Sequence, residues 1–219
     1  MARVSIVFDS SFKGQTAALA SCIAEGARSV DGVEVQVLHV DEVSEHWNDL
    51  HRADAIIFGS PTYIGSVSGK FKLFIEQLAG EVWLQRMWKN KLAAGFTVSA
   101  GRSGDKLNCL MQMAIFASQM AMIWVPQHIL GGNYSSQGSE DDLNRMAGYL
   151  GVMAQANIDE PAEASPPESD RATAREHGRH VARLAKQFAA GQQACPFAEE
   201  ERFSAGEIGR PLGLTELPM

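Results

Sequence analysis

The stretch RVSIVFDSSFKGQTAALASCIAEGA, residues 3–27, decides the fold. Arg3–Phe8 reads as a strand that ends on the apolar run Ile6-Val7-Phe8. The polar loop Asp9–Thr16 follows, and then Leu19, Ala20, Ile23, Ala24 and Ala27 recur on one face of a helix. A strand, a short loop and a one-faced helix make the first half of a βαβ unit, whose next strand lies parallel to the first. The alternation continues. Strands are predicted at Val33–Val40, Ala53–Phe58, Leu92–Val98 and Ile123–Ile129. Helical spacing joins Phe71, Phe74, Ile75 and Leu78, and later Leu107, Leu110, Met111, Ala114 and Ala117.

The strands differ in a way that orders them. The first, third and fourth are nearly continuous apolar runs, as strands covered on both faces are. The second alternates, Val33-Glu34-Val35-Gln36-Val37, and the fifth carries Pro126, which donates nothing to a ladder. Both belong at edges. The fold class expected is α/β, a flavodoxin-like doubly wound parallel sheet of five strands in the order 2-1-3-4-5, with helices on both faces.

Beyond the fifth strand, Gly131-Gly132-Asn133-Tyr134 is a loop, and Ser139-Glu140-Asp141-Asp142 is a capping pattern that predicts a helix striped by Leu143, Met146, Ala147 and Leu150. Residues 157–170 are acidic and Pro-rich and read as an exposed linker. A last helix carries Ala174, Val181, Ala185 and Phe188. We expect one domain over residues 1–191 with an insertion at about 133–165, then a tail at 192–219 that is disordered or docks on a neighbouring subunit.

Composition narrows the function. The 219 residues are 45% hydrophobic and 21% charged with a net charge of −7, which argues against nucleic acid as a partner. No apolar run approaches the roughly 20 residues of a membrane span. Cys22, Cys109 and Cys195 lie far apart, so neither a disulfide framework nor a metal site is expected, and a reducing cytoplasm is the default compartment.

In such a sheet, ligands bind beyond the carboxyl ends of the strands where the order reverses. The loops to inspect are 9–16, 59–68 and 99–106. In the first, Ser11 and Thr16 supply hydroxyls, Gly14 allows close approach, and the helix start adds free amides and a positive dipole end, a nest for a monophosphate. A capped βα turn without a ligand is the alternative.

Ser11-x-x-Gly14-x-Thr16 resembles the FMN phosphate loop of flavodoxins and their reductase relatives. The second loop, Phe58-Gly59-Ser60-Pro61-Thr62-Tyr63-Ile64-Gly65-Ser66-Val67-Ser68-Gly69, with Phe71, Phe74, Ile75, Glu76 and Gln77 after it, resembles the flavin segment of WrbA-type NAD(P)H:quinone oxidoreductases. The resemblance covers about residues 2–131 and 166–191. It implies that Ser11, Phe12, Lys13, Gly14, Gln15 and Thr16 hold the FMN phosphate. Pro61, Thr62, Tyr63, Ile64 and Gly65 would meet the isoalloxazine, and Ser99, Ala100, Gly101, Arg102, Ser103 and Gly104 its ribityl and pyrimidine side. Arg102 would either stabilise charge on a reduced flavin or face water. Trp83 matches an aromatic that lines the substrate side, often across a subunit contact; ordinary packing is the other reading for it and for Trp88. The family's Arg-Phe pair is Tyr63-Ile64 here, so the resemblance carries FMN further than it carries the acceptor.

The implied function is an FMN-dependent oxidoreductase passing electrons from NADPH or NADH to a quinone or similar small acceptor, as a homodimer or homotetramer. A flavodoxin-type carrier without substrate turnover is the alternative. Other chemistries fit poorly. Gly65-Ser66-Val67-Ser68-Gly69-Lys70 is one residue too short for a Walker loop and ends in Phe71. No window matches a nucleophile elbow. A receiver domain needs an Asp where Gly59-Ser60 stands. His177 and His180, three apart, read as a solvated helix face.

Overall fold

Strand and helix alternate into one parallel sheet in the computed structural model, which describes residues 1–196. The strands are β1 (Ala2–Phe8), β2 (Val33–His39), β3 (Ala55–Pro61), β4 (Leu92–Ser99), β5 (Ile123–Trp124) and β6 (Val152–Gln155). The helices are α1 (Gln15–Arg28), α2 (Trp47–Arg52), α3 (Gly69–Gln77), α4 (Glu81–Leu84), α5 (Lys106–Gln119) and α6 (Glu168–Ala194). The order β2-β1-β3-β4-β5 is the expected one.

Two apolar layers hold the sheet. On one face, Leu19, Ile23 and Ala27 of α1 and Val181 and Ala185 of α6 cover Ile6, Ile57 and Phe96. On the other, Phe71 and Phe74 of α3 and Leu110 and Met113 of α5 cover Val7, Ile56 and Phe58. Each fully buried Val, Leu, Ile, Phe or Met side chain among these stabilises by about 1.5–3 kcal/mol. Gly26 and Gly178 let α1 and α6 touch: a Cβ at Gly26 would stand 1.8 Å from the Arg175 carbonyl oxygen.

Several expectations change. The fifth strand is split. Ile123–Trp124 pairs with Leu92–Ala93, Val152–Gln155 pairs with Phe96–Ser99, and residues 125–151 leave the sheet between them. The split is built by packing: the Trp124 ring fills the space over Gly95, its indole N–H donates to the Leu150 carbonyl at 2.9 Å, and Gly151 presses on the Gly95 backbone. The segment at 133–165 therefore contributes a strand and is no simple insertion.

The helix expected at 139–150 is absent. Asn144 and Ala147 take positive φ values of 49° and 50°, and the Ser139-to-Asp142 capping contacts close a turn with no helix behind it. Finally, α5 buries Lys106, Cys109, Leu110, Met113, Phe116 and Ala117, while Leu107 and Met111 are exposed. The buried face is one position off the predicted stripe.

The last helix runs through Ala194, past the expected boundary at 191. The rest of the expected tail, from 197 on, lies outside the described residues. Among the described residues, no helix is long and apolar enough to cross a membrane, and the three cysteines are unbridged.

His177 overturns the solvated reading of its helix face. It is fully buried, and both ring nitrogens lack a hydrogen-bond partner. Nearby, the rings of His128 and His180 stack at 4.0 Å. Burial pushes His177 down to about 3, helped by the charges of His180 and His128. Burial also lowers His128 and His180. A histidine depressed in the folded state contributes stability that is present above its unfolded value of about 6.5 and is lost as pH falls from there toward the folded value. Going from pH 7 to pH 5 should cost about 2 kcal/mol through His177 alone. His177→Leu should be at least as stable at pH 7 and lose most of that slope. Urea unfolding at the two pH values checks it; an unchanged slope would refute the assignment.

Candidate cofactor site

Loop 9–16 turns at Gly14, the N-cap of α1, which has φ 80° and ψ 7°. That left-handed geometry suits glycine and admits most side chains only with strain. Ser11 organises the helix start: its Oγ accepts from the amides of Gln15 at 2.9 Å and Thr16 at 3.4 Å, and its own amide donates to Thr16 Oγ1 at 3.3 Å. Thr16 is fully buried, Phe12 and Lys13 are exposed, and the first amides of α1 bring the positive end of its dipole to the loop.

One wall of this loop comes from a segment that reads as linker in the sequence. The Gln15 side-chain amide donates to the carbonyls of Asn157 at 3.1 Å and Glu160 at 3.0 Å. Lys13 Nζ donates to the Asp159 carbonyl at 2.9 Å, and a Cβ on Gly14 would meet that of Ala162 at 3.5 Å. Residues 157–162 are fastened, and only part of the 157–170 stretch is exposed, because the Pro-rich acidic chain finds donors waiting on the first loop.

The second loop leaves β3 at Pro61. Thr62 Oγ1 shares a hydrogen bond with Thr97 Oγ1 at 2.7 Å. Tyr63 and Ser66 exchange both backbone hydrogen bonds, at 2.9 and 3.0 Å, around a tight turn whose central residues Ile64 and Gly65 have φ 49° and 74°. Helix α5 pins the turn: Asn108 donates to the Gly65 carbonyl at 2.6 Å and Ser66 Oγ to Gln112 at 2.9 Å. Ile64 is a β-branched residue held in the left-handed region while wholly exposed, so its side chain contributes no packing in return. Ile64→Asn, which tolerates that φ, should raise stability by about 1 kcal/mol. A thermal melt checks this; a lower Tm would contradict it.

The third loop, 99–104, is cinched from behind. The Lys106 ammonium, with its residue fully buried, donates to Ser99 Oγ at 2.8 Å and to the Gly101 carbonyl at 2.5 Å. Gly104 has φ 52°, and a Cβ there would stand 2.2 Å from Ser99 Oγ. Ala100 gives its carbonyl to Gln155 Nε2 at 3.1 Å, and Ser103 is exposed. Arg102 is exposed to water, as one of its two readings has it, and pairs at the surface with Glu140 at 2.6 Å.

The three loops meet at the carboxyl ends of β1, β3 and β4, with Tyr63 Oη accepting from the Phe12 amide at 3.3 Å. Trp83 does not join them. It lies in α4, between the far end of α3 and the start of β4, at the opposite end of the sheet and partly buried against the core. Trp88 packs fully, its indole N–H donating to His51 at 3.1 Å. An apolar groove of about 530 Å³ between β5 and the last turns of α6 is also remote from the loops. The donor types of loop 9–16 suit a phosphate monoester, with two hydroxyls, helix-start amides and the Lys13 ammonium; here Ser11 Oγ takes the Gln15 and Thr16 amides and Lys13 the Asp159 carbonyl, so a phosphate would replace those bonds. Asp9 faces His39 Nε2 at 3.3 Å.

Residues 3–136 match the family model for NADPH-dependent FMN reductase. The chain belongs to that family. It is an NAD(P)H-dependent flavin oxidoreductase that works through FMN. A flavodoxin of Pseudomonas aeruginosa, FldP, is 35% identical over 86% of this chain and 99% of its own. An NAD(P)H dehydrogenase (quinone) of Geotalea uraniireducens is 30% identical over 82% of this chain and 96% of its own. Among solved structures, a WrbA-like flavodoxin of Agrobacterium tumefaciens is 30% identical with a TM-score of 0.66, covering 86% of this chain and 99% of its own.

For a member of the FMN reductase family, the residues that sequence reading missed are those that shape the loops from outside. Gln155, Asn157 and Glu160 lie in the assumed linker and insertion. Lys106 carried a usable signal: it falls in register with Cys109, Leu110 and Met113 on the buried face of α5. A charged residue in an apolar register marks a cation with a partner.

Proposed function

We propose that this protein takes electrons from NADPH or NADH through bound FMN and delivers them to a quinone or similar small acceptor. The observation that carries this is the convergence of loops 9–16, 59–68 and 99–106, one rich in anion donors and the other two rigidly braced. Ser11, Phe12, Lys13, Gly14, Gln15 and Thr16 hold the phosphate through backbone amides, the Ser11 and Thr16 hydroxyls and the Lys13 charge. Pro61, Thr62, Tyr63, Ile64 and Gly65 orient the isoalloxazine. Ser99, Ala100, Gly101, Arg102, Ser103 and Gly104 line the ribityl and pyrimidine side.

When bound, FMN supplies the two-electron chemistry, and the protein positions and tunes it. The Tyr63–Ser66 turn, held by Asn108 and Gln112, keeps one edge rigid. No acid–base triad is required. Trp83 serves the acceptor only from a second subunit, since in its own chain it stands at the other end of the sheet; this suits a homodimer or homotetramer. Unbridged cysteines suit the reducing cytoplasm.

The likeness to FldP favours a second reading, an electron carrier on the same cofactor. Steady-state NADPH oxidation by FMN-loaded protein separates them. We expect saturable turnover with benzoquinone. Retained FMN with no turnover at any benzoquinone concentration would assign the carrier role.

A further inference from the structure

We propose that Lys106 is a buried cation that sets the reduction potential of the bound FMN, acting through the backbone of loop 99–104. The inference rests on the cofactor reading above and extends it to a residue outside the three loops. Lys106 is the first residue of α5 and is fully buried, yet among the described residues no carboxylate forms an ion pair with it. Among the described residues its ammonium bonds only to neutral oxygens, Ser99 Oγ and the Gly101 carbonyl, both on the loop that faces the proposed cofactor site.

The charges around it are already committed. From α6, Asp170 spends both carboxylate oxygens on Arg145 and one of them also on the Gln155 amide. From segment 125–151, Arg145 is held by Asp170 and Glu140, and Glu140 also holds Arg102. Asp105, next in sequence, is exposed and lies toward Gly65.

A neutral glutamine would brace the same two oxygens without the cost of burying charge. What the ammonium adds is a positive field projected through one layer of backbone, in a region of low dielectric where it is weakly screened. Reduction adds negative charge to a flavin, and a fixed cation nearby favours the reduced form, raising the potential. Burial pushes the Lys106 ammonium down to about 8, with Asp170 opposing and Arg145 assisting the fall. The field therefore switches off within an accessible pH range. Lys106 is a positioning residue with an electrostatic output.

The test is the reduction potential of FMN bound to the full-chain protein, with the affinities of the apoprotein for oxidised and reduced FMN, between pH 6.5 and 9.5, in wild type, Lys106→Gln and Lys106→Arg. Below pH 8, Lys106→Gln should bind reduced FMN about tenfold more weakly relative to oxidised FMN, a drop of about 30 mV for a two-electron couple. The wild type should show a break in potential near pH 8 that both variants lack, and Lys106→Arg should keep the wild-type potential below it. An equal loss of affinity for both redox forms in Lys106→Gln would reduce the residue to a structural brace and overturn the proposal. So would a wild-type profile with no break anywhere between pH 7 and 9.5, which needs no variant to fold. Failure of the wild type to bind FMN would instead remove the cofactor reading itself, and this inference with it.

Discussion

Gly14→Asp should yield a folded protein that no longer retains FMN. Gly14 has φ 80°, a conformation aspartate tolerates better than most residues, and its Cβ would only touch Ala162 at 3.5 Å. A carboxylate at the start of α1 also complements the helix dipole. The cost to folding should therefore stay near ~1 kcal/mol. The cost to the cofactor should be far larger, because the new negative charge sits where the proposed phosphate is received. Loss of that attraction should weaken FMN at least about a hundredfold, roughly 2.7 kcal/mol. Fluorescence titration of the apoprotein measures it alongside a melt. FMN affinity within threefold of wild type would mean the phosphate lies elsewhere.

Asp170→Ala should be the most destabilising single change in the region behind the site, at about 3–5 kcal/mol. Asp170 and Arg145 form a bidentate pair at 2.8 and 2.9 Å, with side chains only 2% and 4% exposed. Asp170 Oδ2 also accepts from the Gln155 amide at 2.9 Å, so α6 is tied to β6 at the carboxyl end of the sheet. Removing the carboxylate leaves the buried guanidinium with the half-exposed Glu140 as its one remaining carboxylate among the described residues and frees the Gln155 amide, which costs more than the intact pair gains. The double change Asp170→Leu with Arg145→Met should recover at least half of the loss. Urea unfolding gives both numbers; a single-variant loss below about 1 kcal/mol would show that the pair is solvated in solution.

The sheet was legible because its periodicities are local. Apolar runs in β1, β3 and β4, alternation in β2 and the stripe of α1 each state their burial without reference to the rest of the chain. The loops at the carboxyl ends were legible for a similar reason: Gly14, Pro61 and Gly65 declare turns by themselves.

What escaped was non-local. The halves of the fifth strand are separated by residues 125–151, and only the fit of Trp124 over Gly95 and the close approach of Gly151 sets where the chain leaves and returns. The wall at 157–162 looked like linker because its partners, Gln15 and Lys13, lie at the other end of the sequence. The register of α5 slipped by one because Leu107 and Met111 are apolar but exposed, whereas Lys106 is charged but buried. His177 misled for the same reason, a polar residue carried inside without a partner.

The shortest route to the heart of the matter is to titrate the apoprotein in parallel with FMN and with riboflavin, which share the ring and differ by one phosphate. If loop 9–16 receives that phosphate, FMN should bind at least about a hundredfold more tightly. Equal affinities would contradict it, and with it the placement of the cofactor over the carboxyl ends of β1, β3 and β4.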